Sequence, residues 1–193
     1  MEHNRTLRQM RCRGTEFRAA EQDGERYIEG YFSVFGSIYE LFPGGTESVD
    51  SHAFDDTIGG DVRALINHDS TLVLGRTKSG TLELRIDSHG LWGRIRINQA
   101  DSDAMNLWHR VQRGDVDQCS FGFEILEEET EYRNDGSVHW TIKRVKLYEV
   151  SPVTFPAYEE TSLSARKKEF EQIKSRRASA WKEQMKARIN KWH

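Results

Sequence analysis

The chain has 193 residues and a formal net charge of −3, with 36% hydrophobic and 31% charged residues. That length suits one domain with an appendage, and the apolar residues suffice for a single core. No run approaches the roughly 20 consecutive apolar residues of a membrane span, and the charged stretch Met1 to Arg13 lacks the apolar centre of a secretory signal.

Cys12 and Cys119 are too few and too far apart for a disulfide framework and fit a reducing compartment. The small net charge hides an asymmetry. Residues 166–193 hold ten Lys and Arg against three Glu, whereas the remainder is strongly acidic. A basic tail on an acidic body points to an electrostatic partner or to a solvated helix.

In chain order, residues 1–24 read as a polar, irregular arm. Residues 25–160 read as short strands between turns, beginning with the aromatic and branched run Tyr27 to Phe35. Ala53 to Ile58 suggests a helical turn, and strands follow at Val62–Asn67, Thr71–Arg76, Thr81–Ile86 and Leu91–Ile97. Asp101 can cap a helix whose apolar positions Ala104, Leu107, Trp108 and Val111 recur at helical spacing. Val116–Leu126 and Val138–Val150 read as strands around an Asn134-Asp135-Gly136 turn. Residues 161–193 read as a basic amphipathic helical tail. The fold class expected is α+β, mainly β: a closed or nearly closed antiparallel barrel with one inserted helix and a C-terminal helix.

Three polar residues stand out from this pattern. Period two places His68 on the face of Val62, Ala64 and Ile66, and Glu149 on the face of Val145 and Leu147. Ser120 alternates away from the apolar Cys119, Phe121 and Phe123, and Gly122 leaves open space beside its hydroxyl. A serine hydroxyl becomes a nucleophile when a neighbouring base takes its proton. His68 is suited to that near neutral pH, and Glu149 could orient the imidazole. The bland alternatives are a structural histidine, a packing serine and a glutamate paired with Arg94, Arg96 or Lys143.

The phrases Glu29 to Gly36, Ala64-Leu65-Ile66-Asn67-His68-Asp69, Leu74-Gly75-Arg76, Cys119-Ser120-Phe121-Gly122-Phe123 and Leu147 to Tyr158 occur in a specific order. In this the chain resembles the prohead (capsid maturation) serine proteases of tailed bacteriophages, over roughly residues 26–165. The resemblance implies Ser120 and His68 as the catalytic pair. It also implies a barrel similar to that of the herpesvirus assemblins, whose third member is a second histidine; here Glu149 stands in the similar region. It further implies cleavage of scaffold or of the scaffold-like segment of the major capsid protein, and self-cleavage. The setting it implies is the immature capsid in the host bacterial cytoplasm, with no cofactor, no membrane and no specific nucleic acid. Homo-oligomerisation is a further implied possibility. Backbone amides of Val153, Thr154 and Phe155, with Gly122 beside them, are the candidate oxyanion and substrate contacts, since Pro152 and Pro156 lack an N–H. Ser164-Ala165 and Ala178-Ser179 are candidate self-cleavage junctions.

Two rival readings remain at this level. A metal-dependent hydrolase could draw ligands from His52, His68, Asp69, His89 and Glu149, though no tight motif joins them. A non-enzymatic capsid-assembly module would use the tail for binding. A Cys119 nucleophile is disfavoured because alternation turns that side chain into the apolar face.

Overall fold

The computed structural model describes residues 8–11, 17–155 and 160–190. Its elements in chain order are β1 (Arg8–Arg11), β2 (Arg18–Gln22), β3 (Glu25–Val34), β4 (Tyr39–Phe42), β5 (Gly45–Val49), β6 (Arg63–Ile66), β7 (Asp69–Arg76), β8 (Leu82–Ile86), β9 (Gly90–Arg96), α1 (Ser102–Arg113), β10 (Gln118–Tyr132), β11 (Val138–Val153) and α2 (Glu160–Asn190). The protein is therefore α+β and mainly β. Its ladders divide into a four-stranded sheet, β2-β3-β9-β8, and a seven-stranded sheet built on β1-β10-β11-β5-β4, with β6 attached to β11 and β7 to β6.

Two strands fall within residues 1–24, where an irregular arm was expected. The reason for β2 is local. Gln22 pairs with Glu25 across Asp23-Gly24, which have φ of 54° and 79°. A two-residue turn with both φ positive matches the twist of the flanking strands, and Asp-Gly is the pair that tolerates it best.

The sheets are also not purely antiparallel. The sixteen-residue β11 offers an edge long enough for two short strands, so β5 pairs in parallel with Val138–Ile142 and β6 with Glu149–Val150. Between those ladders the backbone stays satisfied by the 50–60 turn segment: Val145 N donates to Ala53 O at 3.0 Å and Leu147 N to Thr57 Oγ1 at 2.9 Å. Cross-sheet hydrogen bonds at the corners, such as Gly36 N to Val49 O at 3.1 Å, draw the two sheets together. Their facing sides share one core, with Ile28, Phe32, Leu91 and Ile95 from one sheet and Phe121, Phe123, Leu147 and Val150 from the other.

Helix α1 follows its sequence signals. Asp101 accepts from the amides of Asp103 and Ala104, and Ala104, Leu107, Trp108 and Val111 are buried. Helix α2 docks differently from an amphipathic helix, because its packed side uses cations as well as apolar groups. Arg166, 2% exposed, bonds Glu47 and Glu128 in the sheet and Glu169 in its own helix, and stacks over Trp140. Phe170 and Ile173 join Trp140 and Val138 in a second small core, and Arg177 lies over Tyr132. Burial works against a charged guanidinium, but the hydrogen bonds and charges of Glu128 and Glu47 outweigh it and raise the Arg166 pKa. Among the described residues no helix is long and apolar enough to cross a membrane.

Removing one partner of a buried ion pair leaves the other charge desolvated and uncompensated. Arg166→Ala is therefore expected to lower stability by about 3–5 kcal/mol, read from urea unfolding midpoints at unchanged slope. A loss below about 1 kcal/mol would show that α2 is held by its apolar contacts instead.

Candidate active site

The site forms where β6, β10 and β11 meet. The ladder sets Ser120 opposite Ser151 and Gly122 opposite Glu149. Directly opposed residues share a sheet face, as do residues two apart on a strand. Ser120, Gly122, Glu149 and Ser151 thus point to one side.

Glu149 reaches that side through an irregularity. Phe123 pairs with Leu147 while Gly122 pairs with Glu149, so Tyr148 is an extra residue on β11. Such a bulge inverts the alternation beyond it. The expectation that Glu149 shares the face of Val145 and Leu147 is therefore corrected: Leu147 enters the core, and Glu149 turns to the serine face.

His68 is also reached by a route that alternation does not show. Strand β6 ends at Ile66, and Ile66 pairs with Asp69 across the two-residue turn Asn67-His68. Their φ values are 51° and 62°, left-handed backbone that costs a non-glycine residue about 1–2 kcal/mol. Asparagine eases the first position, and the rest of the structure holds the second. Asn67 N donates to Pro152 O at 3.0 Å, and its Oδ1 accepts from Thr154 N at 2.9 Å. His68 is thus a turn residue, not a member of the Val62-Ala64-Ile66 face. Because β6 runs parallel to β11, the turn lands beside Ser151, and His68 N donates to Ser151 Oγ at 3.3 Å.

The carboxylate of Glu149 is the centre of this cluster. His68 Nδ1 lies 2.7 Å from Oε1, and Ser151 Oγ donates to Oε2 at 2.5 Å. An ionised carboxylate only accepts, so Nδ1 carries the proton of this bond; in the neutral form of the ring, Nε2 is then the acceptor. Nε2 is buried and makes no hydrogen bond to any of the described residues. Gly122 is required beneath this arrangement, since a Cβ there would overlap Glu149 Oε1. Two of the three alternative partners are engaged elsewhere: Lys143 with Asp50 at 2.5 Å and Arg94 with Glu29 at 3.2 Å.

Ser120 stands on the same face but is fully buried, and its Oγ donates to Met10 O of β1 at 2.8 Å rather than to His68. Of the expected oxyanion donors, the Thr154 amide is taken by Asn67, Val153 is buried at the end of β11, and Phe155 is exposed. Cys119 is buried on the core side, with Sγ 3.0 Å from Tyr31 O; Cys12 lies outside the described residues. Among the imagined metal ligands only His68 and Glu149 meet. His52 bonds Asp55 at 2.9 Å, Asp69 accepts from Thr71, and His89 packs edge-on against Tyr31. Ser151 and Asn67 were missed as site residues. Ser151 was legible as two residues from Glu149 on one strand; Asn67 had only its neighbour to recommend it.

A serine, a histidine and a carboxylate brought to one side of the sheet are the residue types that serine hydrolases use. Residues 14–176 match the family model described as caudovirus prohead serine protease, and the chain belongs to that family. A prohead protease of Enterobacteria phage HK97 is 29% identical over 154 residues, covering 75% of this chain and 62% of the relative. The chain thus spans less than two thirds of that protein's length. No solved structure matches it.

Gly122→Ala tests the packing under the carboxylate. The added methyl group is expected to push Glu149 from His68, so that the downfield Nδ1 proton resonance expected of His68 in the wild type shifts upfield or vanishes. An unchanged resonance in a folded variant would show that the carboxylate has room to stay.

Proposed function

We propose that the chain is a serine endopeptidase of prohead maturation, in which Ser120 is the nucleophile, His68 the general base and Glu149 the residue that orients His68. The observation that carries this reading is the His68 ring. Its Nδ1 is fixed by a buried carboxylate while Nε2 is left unpartnered, on the face that bears Ser120. In the reaction, Nε2 takes the Ser120 proton as Oγ attacks the scissile carbonyl, and then gives it to the leaving amine. Water repeats the sequence on the acyl-enzyme. Glu149 stabilises the imidazolium between these steps, and Ser151 holds the second carboxylate oxygen in place. The amides of Val153, at the end of β11, and Phe155 are proposed for the oxyanion, whereas the space at Gly122 is taken by the Glu149 carboxylate and not by substrate.

The proposed substrates are scaffold or the scaffold-like segment of the major capsid protein, inside the immature capsid in the host cytoplasm. The paired sheets are read as a nearly closed barrel. The exposed part of α2, with Lys182, Lys186 and Arg188 around Trp181, is the proposed contact for an acidic scaffold. Self-cleavage at Ser164-Ala165 or Ala178-Ser179 requires local unwinding, since both junctions lie within α2. Homo-oligomerisation belongs to the same proposal.

With a candidate capsid or scaffold protein as substrate, Ser120→Ala is expected to lower cleavage by about 10⁴-fold or more, the scale of single triad deletions, without loss of fold. Glu149→Gln can present an N–H to the ring and favour the wrong tautomer, so a fall of about 10⁴ is expected there too. Cleavage that persists in folded Ser120→Ala protein would sink the assignment.

A further inference from the structure

Strand β1 lies antiparallel along the outer edge of β10, with Met10 opposite Phe121 and Arg11 opposite Ser120. The opposite edge of β10 is taken by β11. The edge covered by β1 is therefore where an extended peptide would add as a strand beside the nucleophile. Met10 is 1% exposed and sits in the main core cluster, Arg8 lies 3.9 Å from Glu47, and the Met10 carbonyl accepts the Ser120 proton. Ser120 has no exposed surface in this arrangement. Two surface clefts, of about 450 and 480 Å³, lie elsewhere; one is lined by Leu74, Thr81 and Asn98, the other by Ile58, Thr77 and Leu84. Neither includes Ser120, His68 or Glu149.

We infer that β1 is an intramolecular cap: it occupies the peptide seat beside Ser120, keeps the enzyme latent, and must leave before a substrate strand can enter. The inference rests on the serine peptidase reading above. The contact is inhibitory rather than reactive for a chemical reason. Ser120 aims its proton, not a lone pair, at the Met10 carbonyl, and the base that would remove that proton is not bonded to it. Attack on the Met10–Arg11 bond would need Oγ to turn its lone pair to the carbonyl carbon while giving its proton to His68. The cavity filled by Met10 also fixes what can replace the cap, namely an extended peptide carrying a long, flexible apolar side chain at the matching position.

The test uses the full chain. Met10→Glu places a carboxylate in the core and disfavours docking of β1, whereas Met10→Leu keeps the apolar contact. Each is combined with Ser120→Cys, and alkylation of the introduced thiol by iodoacetamide is followed by mass spectrometry, which separates it from Cys12 and Cys119. Met10→Glu is expected to speed that alkylation at least about tenfold over both native Met10 and Met10→Leu. A change below about twofold in a folded protein would overturn the cap.

Hydrogen–deuterium exchange on the unaltered chain needs no variant to fold. Amides of residues 8–11 should open while those of Leu147–Val150 stay protected, and opening of both only on global unfolding would equally overturn the cap. A fluorophosphonate probe on chains retaining Ser120 keeps the two claims apart. Labelling of Ser120 that rises with Met10→Glu supports both, whereas faster thiol alkylation without any Ser120 labelling upholds the cap and counts against the peptidase assignment.

Discussion

The buried carboxylate of Glu149 is the constraint from which the rest of this site follows. At 7% exposure it is nearly cut off from water, and an unpaired charge there would be prohibitive. Its two oxygens are instead divided between an imidazole and a hydroxyl. Satisfying them dictates the surroundings. A bulge at Tyr148 brings the side chain to the right face, a glycine opposite makes room, and a left-handed turn swings His68 into reach. Each of these features is locally unfavourable or at best neutral. Together they are consistent only because one acceptor needs all of them, which is the circumstance in which backbone strain persists.

The fold is less demanding and correspondingly more legible. Helix α1 could be read from Asp101 and the spacing of Ala104, Leu107, Trp108 and Val111, because a cap and a helical period are both written locally. Most strands between Tyr27 and Val153 follow from composition and turn residues, but β4 and β5 were not read from the sequence, which suggested a loop around Pro43-Gly44. What alternation could not show is phase. His68 and Glu149 were singled out as polar residues on apolar faces, yet one lies in a turn and the other is re-aimed by an extra residue. They drew notice because polar side chains within apolar strands are uncommon, although their directions were misread. A bulge depends on the partner strand, and no single segment encodes it. The parallel pairing of β5 and β6 with β11 is non-local in the same way. Asp23-Gly24, by contrast, was a readable hairpin signal that the polarity of the first residues obscured.

Charge asymmetry was visible in the sequence, but its structural use was not. A surplus of cations in the tail suggests a solvated or partner-binding helix throughout. In the structure the helix is split in role along its length. Arg166 is withdrawn from solvent by two sheet carboxylates, Lys174 and Arg177 stack on Phe170 and Tyr132, and residues 178–188 are exposed. Part of the positive charge thus anchors the helix to the acidic body, and only the remainder is free to attract anything else. The buried ion network specifies where the helix sits more than it adds stability, since comparable apolar groups could pack as well.

One proton links the state of the N-terminal strand to the chemistry of the site. The Ser120 hydroxyl has a single hydrogen, so donating it to the Met10 carbonyl and donating it to His68 are mutually exclusive. In the proposed mechanism, whatever favours docking of β1 lowers the population in which His68 can take the Ser120 proton, and whatever holds His68 in the required tautomer acts on the undocked state alone. The two arrangements compete through an ordinary hydrogen bond, whose net worth is about 1 kcal/mol, so that contact alone cannot hold the enzyme latent. The larger share must come from burial of the Met10 side chain, worth about 1.5–3 kcal/mol on a fully buried scale. A competitor that supplies its own apolar side chain to the same cavity would recover that share while presenting a new carbonyl to Ser120. On the proposed reading, occlusion by β1 is a contest between two strands for one edge, decided by local concentration, and needs no separate switch for a capped serine to meet a substrate.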